Sequence, residues 1–490
     1  MGFRPFGGGN DNNMPLTVTN IPDVGDRRLP SGAGSDARMS EKHLRLSGAE
    51  LLLYAVILTL PFEQLLTIGG GALTKWIGLL FFAVSVFEMK TFYKAFPAPF
   101  MFYFAYVAIG IGGDLLRFPL SFTILNEAMQ PALNGVLMLA AYNLCRNRGF
   151  YRLVLVLAVS IALFSLFQVF NLAPGAATSS VQVLDGNSMD RVSALNTDPN
   201  FSACFMTLGV IPGVLAASGA LFRGGLGKTA IVSSSVLAAG GILMTGSRGG
   251  LLALVAGIAA IVLVAPQTIV RIKLVLASTL VLGLFVAILM NNPLFMGRLE
   301  NSIEKRDTAH REDIWKESLS LAAESPLFGY GYRSYIYDLG RVRGEPMRGT
   351  HNLQLSVLLG AGGVGFMAFF VFYLAAMRSV WRHRKTTFGM ILFPWFVACF
   401  VASLSLNLEI SKWYWLVTTL ALALPESREV INRRLGHAAP APGIQGLRMS
   451  FGRADPAWVG RQMSVQPGLP VYHSAGSAPG SPVAAFRRNR

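Results

Sequence analysis

Three residues in this sequence carry a reactive or charged group in a setting that could do chemistry: Arg248 in LMTGSRGGLL and His351 in RGTHNLQLSV at the ends of apolar blocks, and Arg311 in AHREDIWKES at the start of an amphipathic stretch. Imidazole exchanges its proton near neutral pH, so His351 can serve as general base toward a sugar hydroxyl. The plainer alternative is a surface histidine capping a helix that begins at Asn352. Arg248 lies among Gly246, Gly249 and Gly250 at the turn between two apolar blocks. A guanidinium beside hydrocarbon is costly unless an anion holds it or it snorkels to the interface. Its planar fork suits phosphate oxygens, and the glycines let a headgroup approach the backbone. The residues alone leave anion clamp and snorkelling equally open. Arg311 opens an amphipathic stretch with Glu312 and Asp313 as ordinary ion-pair partners.

Supporting candidates surround these three. Arg191 and the turn Asn196 to Asn200 (NTDPN) precede another apolar block, and helix capping by Asp198 or Asn200 accounts for most of that turn. Asn352 follows His351 directly. Tyr330 and Tyr332, on either side of Gly331, can stack on sugar rings or belong to an interfacial aromatic belt. Glu63, Asp114, Glu127 and Glu409 fall near block ends, but no arrangement of His, Asp or Glu spells a metal site, and no cofactor motif is present.

These residues need a scaffold, and composition says which. The 490 residues are 52% hydrophobic and 14% charged, with a mean hydropathy of +0.48, whereas soluble domains carry about 25% charged residues. Twelve apolar blocks approach the ~20 residues that cross a bilayer: near 49–68, 72–88, 98–116, 122–144, 151–171, 199–220, 229–245, 249–266, 272–290, 353–377, 387–406 and 411–424. Each is expected to be helical, because a segment in lipid must satisfy its own backbone. The expected fold is an all-α polytopic membrane protein of about twelve spans. No cleavable signal peptide is expected, and Cys145, Cys204 and Cys399 form no disulfide or zinc pattern.

Charge orients the spans. Lys90, Lys94, Arg146, Arg148, Arg152, Arg223, Lys228, Arg271, Lys273 and Arg378 to Lys385 fall in alternate loops, while the other short connections hold one cation each. The rich set is expected on the cytoplasmic side with both termini. The net charge of +16 is therefore assigned to membrane orientation and anionic lipid, not to nucleic acid. The long connection 291–352, with nine basic and nine acidic residues, then faces outward. It is expected to fold as a cap with short helices; one, HREDIWKESLSLAAE, puts Trp315, Leu319 and Ala322 on one stripe. Of six histidines only His310 and His351 fall on that face. Residues 1–47 and 425–490 are expected to be mostly disordered tails. No internal repeat or paired set of broken helices is apparent, which disfavours a transporter.

The ordered set GSRGG, REDIW, ESPLFGYGY and THNLQLSVLLGAGGVG resembles the bacterial O-antigen ligase and polymerase family, with similarity reaching back to RVSALNTDPNFSA and covering roughly Arg191 to Leu374. The resemblance implies a metal-independent, inverting glycosyltransferase using an undecaprenyl-diphosphate-linked glycan at the periplasmic face of the bacterial inner membrane. It implies that Arg248 and Arg311 hold the donor diphosphate and that His351 activates the acceptor hydroxyl. The acceptor would be a glycan or lipid A–core, with a polysaccharide chain-length regulator or export proteins as partners. The moderate outer loop and lack of a ligase-only feature favour a polymerase joining repeat units of exopolysaccharide or O-antigen. A ligase acting on lipid A–core is the alternative, a protein O-glycosyltransferase another branch, and a non-enzymatic glycolipid flippase or transporter the rival of a different class.

Overall fold

The computed structural model describes residues 46–63, 65–68, 71–88, 96–117, 129–147, 151–170, 172, 180–184, 187–191, 198–219, 225–265, 268–291, 296 and 311–426. Nearly all of both tails, Glu127 and His310 lie outside these residues. A helix overlaps each of the twelve apolar blocks. In chain order they are α1 Gly48–Thr59, α2 Leu73–Phe87, α3 Ala98–Arg117, α4 Gln130–Asn147, α5 Tyr151–Phe170, α6 Pro199–Ala217, α7 Gly225–Thr245, α8 Arg248–Val264 and α9 Thr268–Met290, then α12 Leu353–His383, α13 Gly389–Ser403 and α14 Lys412–Ala423. Between α9 and α12 lie α10 Arg311–Glu324 and α11 Ser334–Arg343. Thr67–Ile68 pairs antiparallel with Gly71–Ala72, and Ser180–Leu184 with Asn187–Arg191, forming two short hairpins. Among the described residues five helices are long and apolar enough to cross a membrane: α3, α6, α12 and most of α5 and α7.

Helix ends are closed by local chemistry. Ser47 and Glu50 make a reciprocal capping box at α1, and Asp198, Ser247 and Asn352 cap α6, α8 and α12 with side-chain oxygens. Helix α6 is the most deeply buried of the five and packs against α7, α8 and α13. Small residues allow the approach: Gly209 of α6 meets Ile161 and Ala238, and Ser235 Oγ of α7 donates to the Gly209 carbonyl at 2.7 Å. On the other side, Phe100, Tyr103 and Tyr106 of α3 mesh with Phe369 and Phe372 of α12 and Trp415 of α14, ring centroids 5.1–6.3 Å apart.

Helix α12 is not continuous. At Gly362 the backbone leaves the helical region (φ 63°, ψ −172°). The break frees carbonyls at Leu359 and Gly360, which accept from Tyr330 N (2.7 Å) and Gly331 N (2.8 Å). It also frees amides at Gly363 and Val364, which donate to the carbonyls of Pro326 (2.7 Å) and Leu327 (3.1 Å). The segment after α10 thus repairs the broken ladder, which buried backbone groups require. A Cβ on Gly362 would run into the Leu327 carbonyl and the Phe328 amide nitrogen. Gly331 (φ 99°) brings the next residues onto Asp114 of α3, which accepts from Arg333 N (2.9 Å), Ser334 N (2.9 Å) and Ser334 Oγ (2.9 Å). The connection before α12 is therefore pinned to the bundle at two places.

Helix α10 turns differently from the expected stripe. Its buried face is Ile314, Ser318, Leu321 and Ala322, while Leu319 is 55% exposed. Spacing of four, seven and eight residues from Ile314 selects one helix face, and Leu319 lies off it. Ion pairs Arg343–Glu317 (2.6 Å) and Arg117–Asp338 (2.8 Å) tie α11 to α10 and α3.

Gly362→Ala is expected to destabilise the protein by about 2 kcal/mol or more, because it adds both a positive-φ penalty and a backbone clash. Thermal melts of the purified protein should fall by several degrees. Gly112→Ala in α3, where a Cβ meets nothing within 4 Å, should not lower the melt and should raise it slightly, because alanine loses less backbone entropy in a helix.

Candidate active site

His351 stands in the turn between α11 and α12. Its φ of 50° makes it the one non-glycine residue with positive φ among the described residues. Histidine tolerates this region better than most side chains, yet such a conformation persists only where neighbours enforce it. The neighbours are explicit. Thr350 Oγ1 donates to Asn407 Oδ1 (3.0 Å) and lies 2.7 Å from Ser356 Oγ. Asn352 N donates to Asn407 Oδ1 (2.9 Å), and Asn352 Oδ1 accepts from Leu355 N (3.0 Å). Trp315 Nε1 of α10 donates to the Thr350 carbonyl (3.1 Å). Both residues flanking His351 are therefore clamped. The cap of α12 is Asn352, so the capping alternative for His351 is set aside.

The clamp continues inward. Tyr335 of α11 links Ser356 Oγ (3.1 Å) to Glu409 Oε1 (2.9 Å), and Glu409 lies in the short 3-10 turn Leu408–Ile410 between α13 and α14. Burial pushes the Glu409 carboxyl up to about 7, against the downward pull of its hydrogen bonds with Tyr335 and Ser356.

The two arginines arrive from other elements. Arg248 is the first residue of α8, behind its cap Ser247, whose Oγ accepts from Gly250 N (3.0 Å) and donates to Asn200 Oδ1 (2.8 Å). Asn200 N in turn donates to Asp198 Oδ1 (2.7 Å), so the starts of α6 and α8 are stitched together. Arg311 is the first residue of α10, one turn before Trp315. Arg248, Arg311 and His351 are all half-buried.

Electrostatics joins these groups into one site. Burial, then the nearby Arg248 guanidinium, lowers the Arg311 pKa, with Asp198 opposing. Burial, then Arg311 and Arg348, holds the His351 imidazole below its usual range near 6.5, again with Asp198 opposing. Arg311, which opens α10, thus lies within electrostatic reach of Arg248 at the start of α8, Asp198 at the start of α6 and His351 just before α12. Glu312 and Asp313 are exposed, and among the described residues no ion pair engages Arg311. Helix N-termini add further positive potential. Several cations face one carboxylate in a half-buried setting, which suits an anion, and the same surroundings favour the neutral form of the neighbouring imidazole, the form able to take a proton.

Other candidates have different places. Asn200 supports the Arg248 turn through Ser247. Arg191 ends the short strand Asn187–Arg191, with Ser180 opposite in register. Tyr330 and Tyr332 correct the sugar-stacking expectation, since both rings are buried by protein. Tyr330 OH donates to the Leu321 carbonyl (3.1 Å) under the Arg117 guanidinium, and Tyr332 OH donates to the Tyr106 carbonyl (3.2 Å). Sequence reasoning missed Thr350, Tyr335, Ser356 and Asn407. The one signal was the polar run LNLEISK between two apolar blocks.

Glu409 gives a pH test of the clamp. Its folded value is about 7 against an ordinary 4.5. A raised carboxyl contributes stability that is full below the unfolded value and lost as pH rises through the folded one. Stability should therefore fall by on the order of 3 kcal/mol between about pH 5 and pH 8, read as a falling melting temperature. Glu409→Gln should flatten that dependence.

Residues 233–370 match the family model described as O-antigen ligase (Wzy_C), an interval that contains Arg248, Arg311 and His351. The chain is also similar to an O-antigen ligase of Pseudomonas aeruginosa, 26% identical over 197 residues, or 39% of this chain and 45% of that relative. The match spans less than half the relative's length. Residues 233–370, the stretch that contains the three candidate residues and the broken helix, are thus the part of the chain that is similar to the O-antigen ligase family.

Proposed function

We propose that the protein is a multi-pass inner-membrane glycosyltransferase of the O-antigen ligase type, acting at the periplasmic face on an undecaprenyl-diphosphate-linked glycan. The observation that carries this reading is the convergence of Arg248, Arg311 and His351 from three elements into one half-buried, cation-rich site. Support for the topology comes from the twelve helix-bearing blocks and the alternating loop charge. The polymerase expectation has no specific support from either comparison, whereas the relative is named a ligase, so lipid A–core is the acceptor class favoured here.

In the proposed reaction Arg248 and Arg311 grip the diphosphate through paired N–H donors. His351 takes the proton of the acceptor hydroxyl, whose oxygen attacks the anomeric carbon from the face opposite the leaving group. The glycosidic C–O bond to the diphosphate breaks, its electron pair leaves with undecaprenyl diphosphate, and the anomeric configuration inverts. The arginines stabilise the charge growing on that leaving group, where preorganised donors contribute most. No step draws on a metal.

Purified protein given undecaprenyl-diphosphate glycan, lipid A–core and a chelator should yield glycosylated lipid A and free undecaprenyl diphosphate. His351→Ala is expected to lower the rate by about 10²–10⁴-fold at unchanged membrane abundance. Arg311→Gln is expected to cost about 10²–10³-fold. Normal turnover by His351→Ala would reject the assigned base. In a deletion strain, full-length glycan stranded on its carrier supports the ligase, while accumulated single repeats would restore the polymerase.

The pH profile follows from the low His351 value. A protonated imidazole cannot accept a proton, so kcat/KM should hold below pH 6.5 and then fall as pH drops through the depressed value. Donor diphosphate offsets the arginine charge that contributes to this depression, so the corresponding limb in kcat should lie at higher pH.

A further inference from the structure

The oxygens beneath the His351 turn form a line whose protons can be counted. Glu409 Oε1 lies 2.9 Å from Tyr335 OH, which lies 3.1 Å from Ser356 Oγ. Ser356 Oγ lies 2.7 Å from Thr350 Oγ1, and Thr350 Oγ1 lies 3.0 Å from Asn407 Oδ1. Each contact needs one proton, and each hydroxyl carries one.

The far end sets the direction. Asn352 N donates to Asn407 Oδ1 at 2.9 Å, so that atom is the amide oxygen and brings no proton. Thr350 must donate there, or to the Asn352 carbonyl at 2.8 Å, which is also only an acceptor. Its proton is committed either way, so Ser356 donates to Thr350. Tyr335 then donates to Ser356, and the proton of the last contact falls to Glu409. An ionised carboxyl has none to give. It would draw the Tyr335 and Ser356 protons to itself and leave the 2.7 Å Ser356–Thr350 contact without one. Buried oxygens left facing each other in that way are costly.

The surroundings point the same way. Glu409 is buried, and its Oε2 has no hydrogen-bond partner among the described residues. A neutral acid tolerates such an oxygen far better than a carboxylate does. Lys412, three residues on, is paired with Glu63. The titratable groups within electrostatic reach are the phenols of Tyr335, Tyr332 and Tyr106 of α3, none of them cationic, and Arg333 acts on Tyr335.

We propose that Glu409 works as a neutral carboxylic acid, a positioning residue that supplies the first proton of a one-way hydroxyl chain holding the residues on either side of His351. Its ionisation releases Thr350 and lets the imidazole leave its enforced place. The consequence for rate rests on the glycosyltransferase reading above, whereas the protonation state does not.

The test uses the full chain in detergent, grown with carboxyl-labelled glutamate and followed by infrared spectroscopy from about pH 6 to about pH 8, on either side of the Glu409 value. The label separates glutamate from aspartate carboxyls such as the buried Asp114. A protonated-glutamate carbonyl band should be present at the lower pH, lost at the higher and missing from Glu409→Gln. Its absence at the lower pH in the unmodified protein would overturn the proposal, a reading that needs no variant to fold. In the transfer assay kcat/KM should fall several-fold over the same rise in pH. Glu409→Gln, whose amide donates at every pH, should show no such fall. Glu409→Leu, which cannot donate, should be slow throughout and equally flat. A fall in Glu409→Gln as steep as that of the unmodified protein would also overturn the proposal. No transfer at any pH by the unmodified protein would instead reject the glycosyltransferase reading, and the band would still decide the chain.

Discussion

A helix interrupted inside an apolar bundle must find partners for the backbone groups it releases, and in this protein the partners come from the segment just after α10. Four backbone hydrogen bonds across the Gly362 break decide where residues 326–331 lie. Asp114 then fixes where α11 begins. With α10 and α11 anchored in this way, Trp315 and Tyr335 reach the turn that carries His351. The candidate chemistry therefore rests on a backbone repair far more than on the charged residues themselves.

The electrostatics of the site has the same character. Bringing Arg248 near Arg311, and Arg311 near an imidazole, opposes the charge on Arg311 and His351, as their lowered values record. Such a cluster is held together by what surrounds it: the Asp198–Asn200–Ser247 stitch between α6 and α8, and the Thr350–Asn407–Ser356 group under the turn. Its members repel until an anion arrives. That is the arrangement expected of a site built for a ligand charge and paid for by the scaffold.

Apolar period and charge made the helices and the three principal residues legible in the sequence, because burial of a whole segment leaves a strong compositional trace. Arg248 and His351 stood out at the ends of apolar blocks and Arg311 at the start of the loop helix, while the family resemblance suggested what each would do. The break at Gly362 was not legible, since GAGGVG reads as small residues for close packing and gives no sign of which glycine takes positive φ. The Thr350–Asn407 clamp joins residues 57 positions apart, and pairing at that distance leaves no periodic mark. Tyr330 and Tyr332 misled for a related reason: aromatic residues beside glycine suit a ligand platform and a buried packing position equally well.

The order of the interlock along the chain also bears on how the protein is made. Synthesis runs from the N-terminus, so residues 326–331 exist before the break at Gly362 is translated. The half-helix Leu353–Ala361 therefore meets its complement as it emerges. Moving that complement downstream of α12, as a circular permutation would, reverses the sequence of events and leaves open carbonyls to enter the apolar phase alone.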